Sequence, residues 1–241
     1  LEVMSRRNLL AVLIAIVTAA VCVRLGMWQL HRLAERRAQN AVVVGRTALA
    51  PVAPAESLPR YRRVVVSGTW DFDHELAIAG RTHGGSPGVN IVTPLTLAGS
   101  DRVVLVNRGW VYSPDAGTID LTKWHEPDPV SLPGYVDRPT DRKTPSPSLG
   151  AHVLVSLDLP QLISRQPRPA AVLDYIVVAL PTADSSSLAH PARLALPPLD
   201  EGPHQSYAVQ WFSFATIAVL GVGLLLYQEG RTRRGLTPVE S

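Results

Sequence analysis

Few side chains in this sequence stand where they could do chemistry, and His204 is the foremost. It lies in Pro203-His204-Gln205-Ser206, just ahead of an apolar run that opens at Tyr207. A neutral imidazole is the commonest metal ligand, and axial ligation of haem iron is one of its uses. Tyr207 and Trp211 follow at i+3 and i+7, on roughly the same face of a helix. An amphipathic macrocycle, apolar in its ring and charged at its propionates, would suit that interfacial position. The plainer alternative is a polar histidine that caps the helix. A second group is Asn107-Arg108-Gly109-Trp110, at the end of an apolar strand-like stretch. Val104 and Val106 can face one side of a strand, Leu105 and Asn107 the other. Gly109 permits a bulge or a close backbone approach. Arg108 and Trp110 would then present a charged fork and a flat ring on one face, fit for a propionate or a partner carboxylate. The alternative is a packing and hydrogen-bonding role inside the fold.

Other combinations lead nowhere. The seven histidines are scattered, and none pairs with another at i, i+4. His74 and His83 flank a turn with Asp71, Asp73 and Glu75, which reads as a solvated acidic turn rather than a metal site. Arg81 to Gly88 has neither the spacing nor the lysine of a phosphate loop. No serine stands in a nucleophile-elbow pattern. The single cysteine, Cys22, excludes an intramolecular disulfide and a cysteine-based zinc site. No catalytic residue and no metal site is assigned, and an enzyme is not expected.

The elements that would position these groups are set by hydropathy. One apolar run extends from Leu9 to Trp28 and another from Tyr207 to Tyr227. Each has the ~20 residues a helix needs to cross a bilayer core. The expected class is a membrane protein of two transmembrane α-helices flanking a mainly β, barrel- or sandwich-like antiparallel domain outside the cytoplasm. The expected divisions are a cytoplasmic N-terminus at 1–8, a span at 9–28, the outer domain with its linker at 29–206, a span at 207–227 and a cytoplasmic tail at 228–241. The net charge of +3 is too small to point to nucleic acid. A cleaved signal peptide is the rival reading of the first run. An anchor is preferred, because Ala19 and Ala20 are followed by more apolar sequence. Met4 is a candidate start. Arg231, Arg233 and Arg234 follow the second run and place the C-terminus inside. Arg24, Arg32, Arg36 and Arg37 argue the reverse for the first run, but Arg24 can snorkel to an outer interface. Ala11, Ala15, Thr18, Cys22 and Gly26 form a small-residue stripe along which another helix could approach.

The first helix is expected to continue to about Ala41, with Pro51, Pro54 and Pro59 marking a linker. Strands are expected at Tyr61–Trp70, where the alternation is poor, then Glu75–Ala79, Val89–Leu97 and Arg102–Tyr112. Further strands are expected at Val130–Val136, His152–Leu157 and Leu173–Leu180. A short helix from Leu159 to Arg165 has Asp158 as its N-cap. Thr140–Gly150 and Pro181–Pro203 read as loops. The short strands and 21 prolines and 17 glycines suit a barrel or sandwich.

Three segments in order resemble the surfeit locus protein family, the cytochrome c oxidase assembly factors of bacteria and mitochondria. The first is Gly26-Met27-Trp28-Gln29-Leu30-His31-Arg32, similar to the family's Gly-x-Trp-Gln-x-x-Arg. The second runs from Gly88 through Thr93-Pro94-Leu95 to Leu105-Val106-Asn107-Arg108-Gly109-Trp110, a proline-broken strand and then the family's most recognisable stretch. The third is Pro203 to Phe212, with Tyr207, Gln210 and Trp211. The resemblance implies a cell-membrane, multi-pass, non-enzymatic assembly factor of the respiratory chain. Its partners would be oxidase subunits and the lipid bilayer, and it would act as a chaperone for the subunit that houses haem a. Haem a is implied as a transient cofactor, with His204 as axial ligand; His31 is not part of the family pattern, though its place near the same interface would permit a second axial ligand. A permanent accessory subunit of a respiratory oxidase is the alternative, since the same spans and domain would serve it. A membrane sensor is disfavoured by the short tail after Tyr227.

Overall fold

The computed structural model describes residues 6–139, 147–182 and 190–235, except the side chains of 232–234. Met4, parts of both expected loops, and the side chains of Arg233 and Arg234 lie outside the described residues. The chain divides into two compact units. Residues 1–42 and 199–241 form a helical unit, and residues 43–198 a β unit.

The helical unit consists of α1 (Arg6–Thr47) and α3 (His204–Gly235). The α1 helix passes the expected end at Ala41 because no proline or glycine cluster interrupts the chain before Pro51. Both helices are long and apolar enough to cross a membrane. Asn8, Ala15, Cys22 and Gln29 on α1 are buried at seven-residue spacing, with Gly26 and Leu33 filling in four residues after Cys22 and Gln29, and Ala208 and Ala215 are buried on α3. Gly26 lets the helices approach closely, since a Cβ there would stand 2.8 Å from the Phe212 ring. The expected small-residue stripe is thus only partly the contact line: Thr18 is exposed. Asn8 donates to the Glu229 carboxylate near one end of the seam, and the Arg37 guanidinium grips Glu201 with two 2.9 Å bonds near the other. The helices are therefore antiparallel.

The β unit is built from β1 (Arg63–Trp70), β2 (Leu76–His83), β3 (Ser86–Leu97), β4 (Val103–Tyr112), β5 (Val130–Asp137), β6 (Val153–Leu154) and β7 (Val172–Ala179). Five of them close in the order β1-β5-β7-β4-β3, and β3 returns to β1. The expected antiparallel barrel is corrected in one respect: β4 and β7 run parallel, as do β2 and β6. Strand directions cannot alternate around a ring with an odd number of members, so a closed five-stranded barrel must contain a parallel pair. Strand β6 is shorter than the expected His152–Leu157. Strand β1 alternates cleanly, with Val64, Val66 and Trp70 buried and Val65 outward. The outward Val65, which is exposed, obscured the pattern in sequence, and its N–H donates to Val52 O of the linker at 3.0 Å.

The barrel interior holds Val64, Val66, Leu95, Val104, Val106, Val136, Tyr175 and Val177 among others. Leu105 and Ile176 face the opposite way, under Leu159 and Leu162 of α2 (Leu159–Ser164). Asp158 caps α2 as expected, accepting from the Gln161 N–H. The buried Tyr175 hydroxyl donates to Ala55 O at 2.8 Å and pins the proline-rich linker. Pro94 does not break β3. It sits where β3 leaves β2 (Leu76 opposite Val92) and takes up β1 (Trp70 opposite Leu95), so its missing N–H falls at the changeover.

The closure depends on Gly68, where a Cβ would stand 2.0 Å from Thr96 O. Gly68→Ala should therefore lower the stability of the full chain by about 1–3 kcal/mol. Gly150→Ala, at a position with nothing within 4 Å of a new Cβ, should stay within about 0.5 kcal/mol. Thermal unfolding in detergent, followed by tryptophan fluorescence, checks both. Equal midpoints would refute a tight closure at Gly68.

Candidate functional site

In the β unit, the chemistry converges on Arg108. Asn107 pairs with Val92 and Gly109 with Ile91, so Arg108 is the extra residue of a bulge in β4. Gly109 has φ 135°, and a Cβ there would stand 2.3 Å from Ala192 O. Glycine is required on both counts, and the close backbone approach expected from sequence is made by the segment at Ala192. That segment exchanges two hydrogen bonds with Trp110, Trp110 N–H to Ala192 O at 2.8 Å and the return at 2.7 Å. Asn107 supports the bulge by accepting the Gly109 N–H.

Arg108 is wholly buried, and all five of its N–H donors are committed. Nη1 reaches Glu75 Oε2 at 3.1 Å and Thr93 Oγ at 3.2 Å. Nε and Nη2 reach Glu126 Oε1 at 3.2 and 3.1 Å, and Nη2 also donates to Trp124 O. The Trp70 and Phe72 rings lie 5.3 and 5.4 Å from the guanidinium carbon. Arg193 completes the set, donating to Glu126 Oε2 at 2.6 Å and to the Arg108 carbonyl. His125 lies at the border, its Nε2 3.0 Å from Glu75 Oε1 and its ring stacked on Phe72. Two guanidinium groups thus balance two carboxylates, and removing either charge from such a group strands its partner.

This arrangement corrects two sequence expectations. Arg108 and Trp110 do not share a binding face. The bulge separates them, and Trp110 lies over Gly88 and beside the His83 ring. Arg108 therefore plays the packing role. Glu75 is not part of a solvated turn but is buried under Arg108 and Thr93. The nearby His74 does sit at the surface, against Asp71 at 2.9 Å. Glu126 and Arg193 escaped sequence reasoning. The signal for them was general: an arginine inside an apolar strand demands carboxylates, but nothing in the sequence says which.

In the helical unit, His204 opens α3, and its Nδ1 lies 2.8 Å from Gln29 Oε1 on α1. The resemblance pointed to both residues, but sequence reasoning did not join them. Among the described residues the imidazole makes no bond to the α3 backbone, so the capping alternative is not what the geometry shows. Gly202 lies beside the other ring edge and puts no side chain there: a Cβ would stand 3.4 Å from Cδ2 and 3.5 Å from Nε2. Tyr207 is exposed, and Trp211 is half-buried with its edge against Phe214. Gln210 and Trp28 are exposed, and Arg32 pairs with Glu35. His31 is exposed and pairs with Glu35 at 3.2 Å. It lies two residues after Gln29, about 200° around the helix, so it does not meet His204. No cluster of metal-ligating side chains occurs among the described residues.

A β barrel joined to a pair of long apolar helices, with one interhelical histidine, defines a narrow architecture. The family model described as the SURF1 family matches residues 16–216, which include all three segments singled out in the sequence. The chain belongs to the SURF1 family, known generally for cytochrome oxidase assembly factors. An uncharacterized SURF1-like protein of Mycobacterium tuberculosis is 29% identical over 226 residues, 87% of this chain and 79% of that protein. A SURF1-like protein of Rickettsia felis is 27% identical over 213 residues, covering 84% and 91%. One from Drosophila melanogaster is 27% identical over 212 residues, covering 79% and 69%.

The charge cluster predicts an acid transition. Burial pushes the Glu126 carboxyl up, but Arg193 and Arg108 pull it further down, to a net value below its ordinary 4.5. A lowered folded-state pKa contributes stability that is present above 4.5 and lost as pH falls through the lower value. Glu126→Gln should cost about 3–5 kcal/mol at neutral pH, because it strands two guanidinium groups. The gap from the parent protein should narrow as pH falls below about 4.5. Thermal midpoints across that range read it, and a gap independent of pH would refute the ion-pair origin.

Proposed function

We propose that this chain is a membrane-anchored assembly factor for cytochrome c oxidase that offers His204 as an axial ligand to haem a. Family membership supports the oxidase context. The observation that carries the site is the His204 imidazole, with one nitrogen held by Gln29 and a glycine, not a side chain, beside its other edge. These residues fit the group: a single histidine with one free nitrogen is a competent axial ligand. When bound, haem a supplies the redox centre of the oxidase. The chain's own part is to hold the imidazole still, exclude rival protein contacts from its Nε2 edge, and release the haem to the subunit that houses it.

Insertion in the bilayer is supported by what the helices expose. Leu9, Leu13, Ile16, Val17 and Met27 on α1, and Phe214, Ile217, Leu220 and Leu224 on α3, stand outward beside a seam of small residues. So much contiguous apolar surface is costly in water and costs nothing in lipid. Antiparallel helices put both termini on one side, and Arg231 with its following arginines favours the cytoplasm. Asp101→Cys, in an exposed turn of the β unit and a Cys22→Ser background, should react with an impermeant thiol reagent in intact cells. Labelling only after lysis would overturn the topology.

His204→Ala should abolish the Soret band of protein purified from haem-a-producing cells, or shift it sharply. Protein level and membrane insertion should hardly change, because the residue lies outside the apolar run. An unaltered spectrum would reject ligation while leaving oxidase assembly to be judged by oxidase yield in a deletion strain.

A further inference from the structure

The helical seam contains a residue that apolar packing does not explain. Cys22, Gly26 and Leu33 are small or apolar, yet Gln29 between them is buried. A buried amide loses its hydration and must be repaid by hydrogen bonds. Its side-chain oxygen lies 2.8 Å from Nδ1 of His204, which belongs to the other helix. A carbonyl oxygen only accepts, so this contact requires the proton of a neutral imidazole to reside on Nδ1. In a free histidine side chain the proton prefers Nε2. The contact therefore reverses the intrinsic preference.

We infer that Gln29 is a positioning residue that fixes His204 as the Nδ1–H tautomer and so leaves the Nε2 lone pair free for a metal centre. The inference rests on the ligand role proposed for His204 but concerns a different residue and a property of the ligand-free protein. Three features act together. Gln29 is on α1 and His204 on α3, so the bond also fixes the ring plane against rotation. The acceptor is a neutral amide, so it sets the tautomer without adding a charge at an apolar boundary. Gly202 places no side chain over the Nε2 edge, where a Cβ would make van der Waals contact. A histidine ligand whose second nitrogen is tied to a fixed acceptor is a recurring device for holding orientation and raising ligand basicity.

The test reads the proton directly. Full-length protein with labelled histidine, in detergent and without haem, is compared with His204→Ala to assign the His204 ring nitrogens by nuclear magnetic resonance. The parent protein should show Nδ1 protonated and Nε2 bare. Gln29→Leu, close in size and suited to the apolar seam, should shift the proton toward Nε2 and weaken haem binding by about 10–100-fold in a Soret titration. Gln29→Glu, which keeps an acceptor, should retain the tautomer and bind within a few-fold of the parent. A merely structural role would lower the thermal midpoint of Gln29→Leu without moving the tautomer. An Nε2–H tautomer in the parent protein, as a reversed amide would impose, overturns the inference. So does a Gln29→Leu variant with unchanged tautomer and haem affinity. If His204→Ala keeps its haem spectrum, the ligand role fails instead, and the resonance measurement still decides where Gln29 holds the proton.

Discussion

The β unit depends on the guanidinium of Arg108. A permanently charged group with no access to water is tolerated only if its charge is matched and its donors are filled. The groups around it come from four stretches of chain: Glu75 before β2, Thr93 on β3, Trp124 and Glu126 in the connection to β5, and Arg193 after β7. The bulge at Asn107–Gly109 exists to set this side chain, and Gly109 is glycine so that the segment at Ala192 can close over it. Burial pulls the Arg108 pKa below its ordinary value, and Glu126 and Glu75 offset part of that pull. Such a cluster adds less to stability than an apolar core of equal volume would. What it enforces is that these four stretches meet β4 in one arrangement.

Closure of the barrel imposes a second constraint. Five strands cannot alternate around a ring, and the parallel β4–β7 pair is the consequence. Strand β3 must serve β2 along one half and β1 along the other, and Pro94 stands at the division. A proline that would weaken a regular central strand is harmless where the neighbour on its N–H side changes. The strand-breaking residue of the sequence thus marks a topological boundary rather than a strand end.

Local physics made much of this legible. The two apolar runs, six of the strands, the Asp158 cap and the close approach at Gly109 were all readable from period, turn chemistry and residue type. The misses have one cause, which is that they concern pairing at long sequence separation. Glu75 looked solvated because its partners Arg108 and Thr93 are 33 and 18 residues away. Gln29 and His204 are 175 residues apart, and neither carries a local sign of the other. Even the parallel strand pair follows from a count around the ring, which no single strand reveals.

Arg108 and His204 both looked like sites, and their surroundings separate them. A group that acts on a ligand must keep some bonding capacity unspent in the resting fold. Arg108 keeps none: each of its five donors has a protein acceptor, and its aromatic neighbours cover its face. Opening it to a propionate would strand Glu75 and Glu126 in the interior. Among the described residues His204 is held at one nitrogen, by a neutral acceptor, with glycine beside the other edge. Taking up a ligand there breaks no existing bond and uncovers no buried charge. The more conspicuous motif is therefore structural, and the plainer histidine at the helix entrance is the one whose surroundings suit the proposed ligand role.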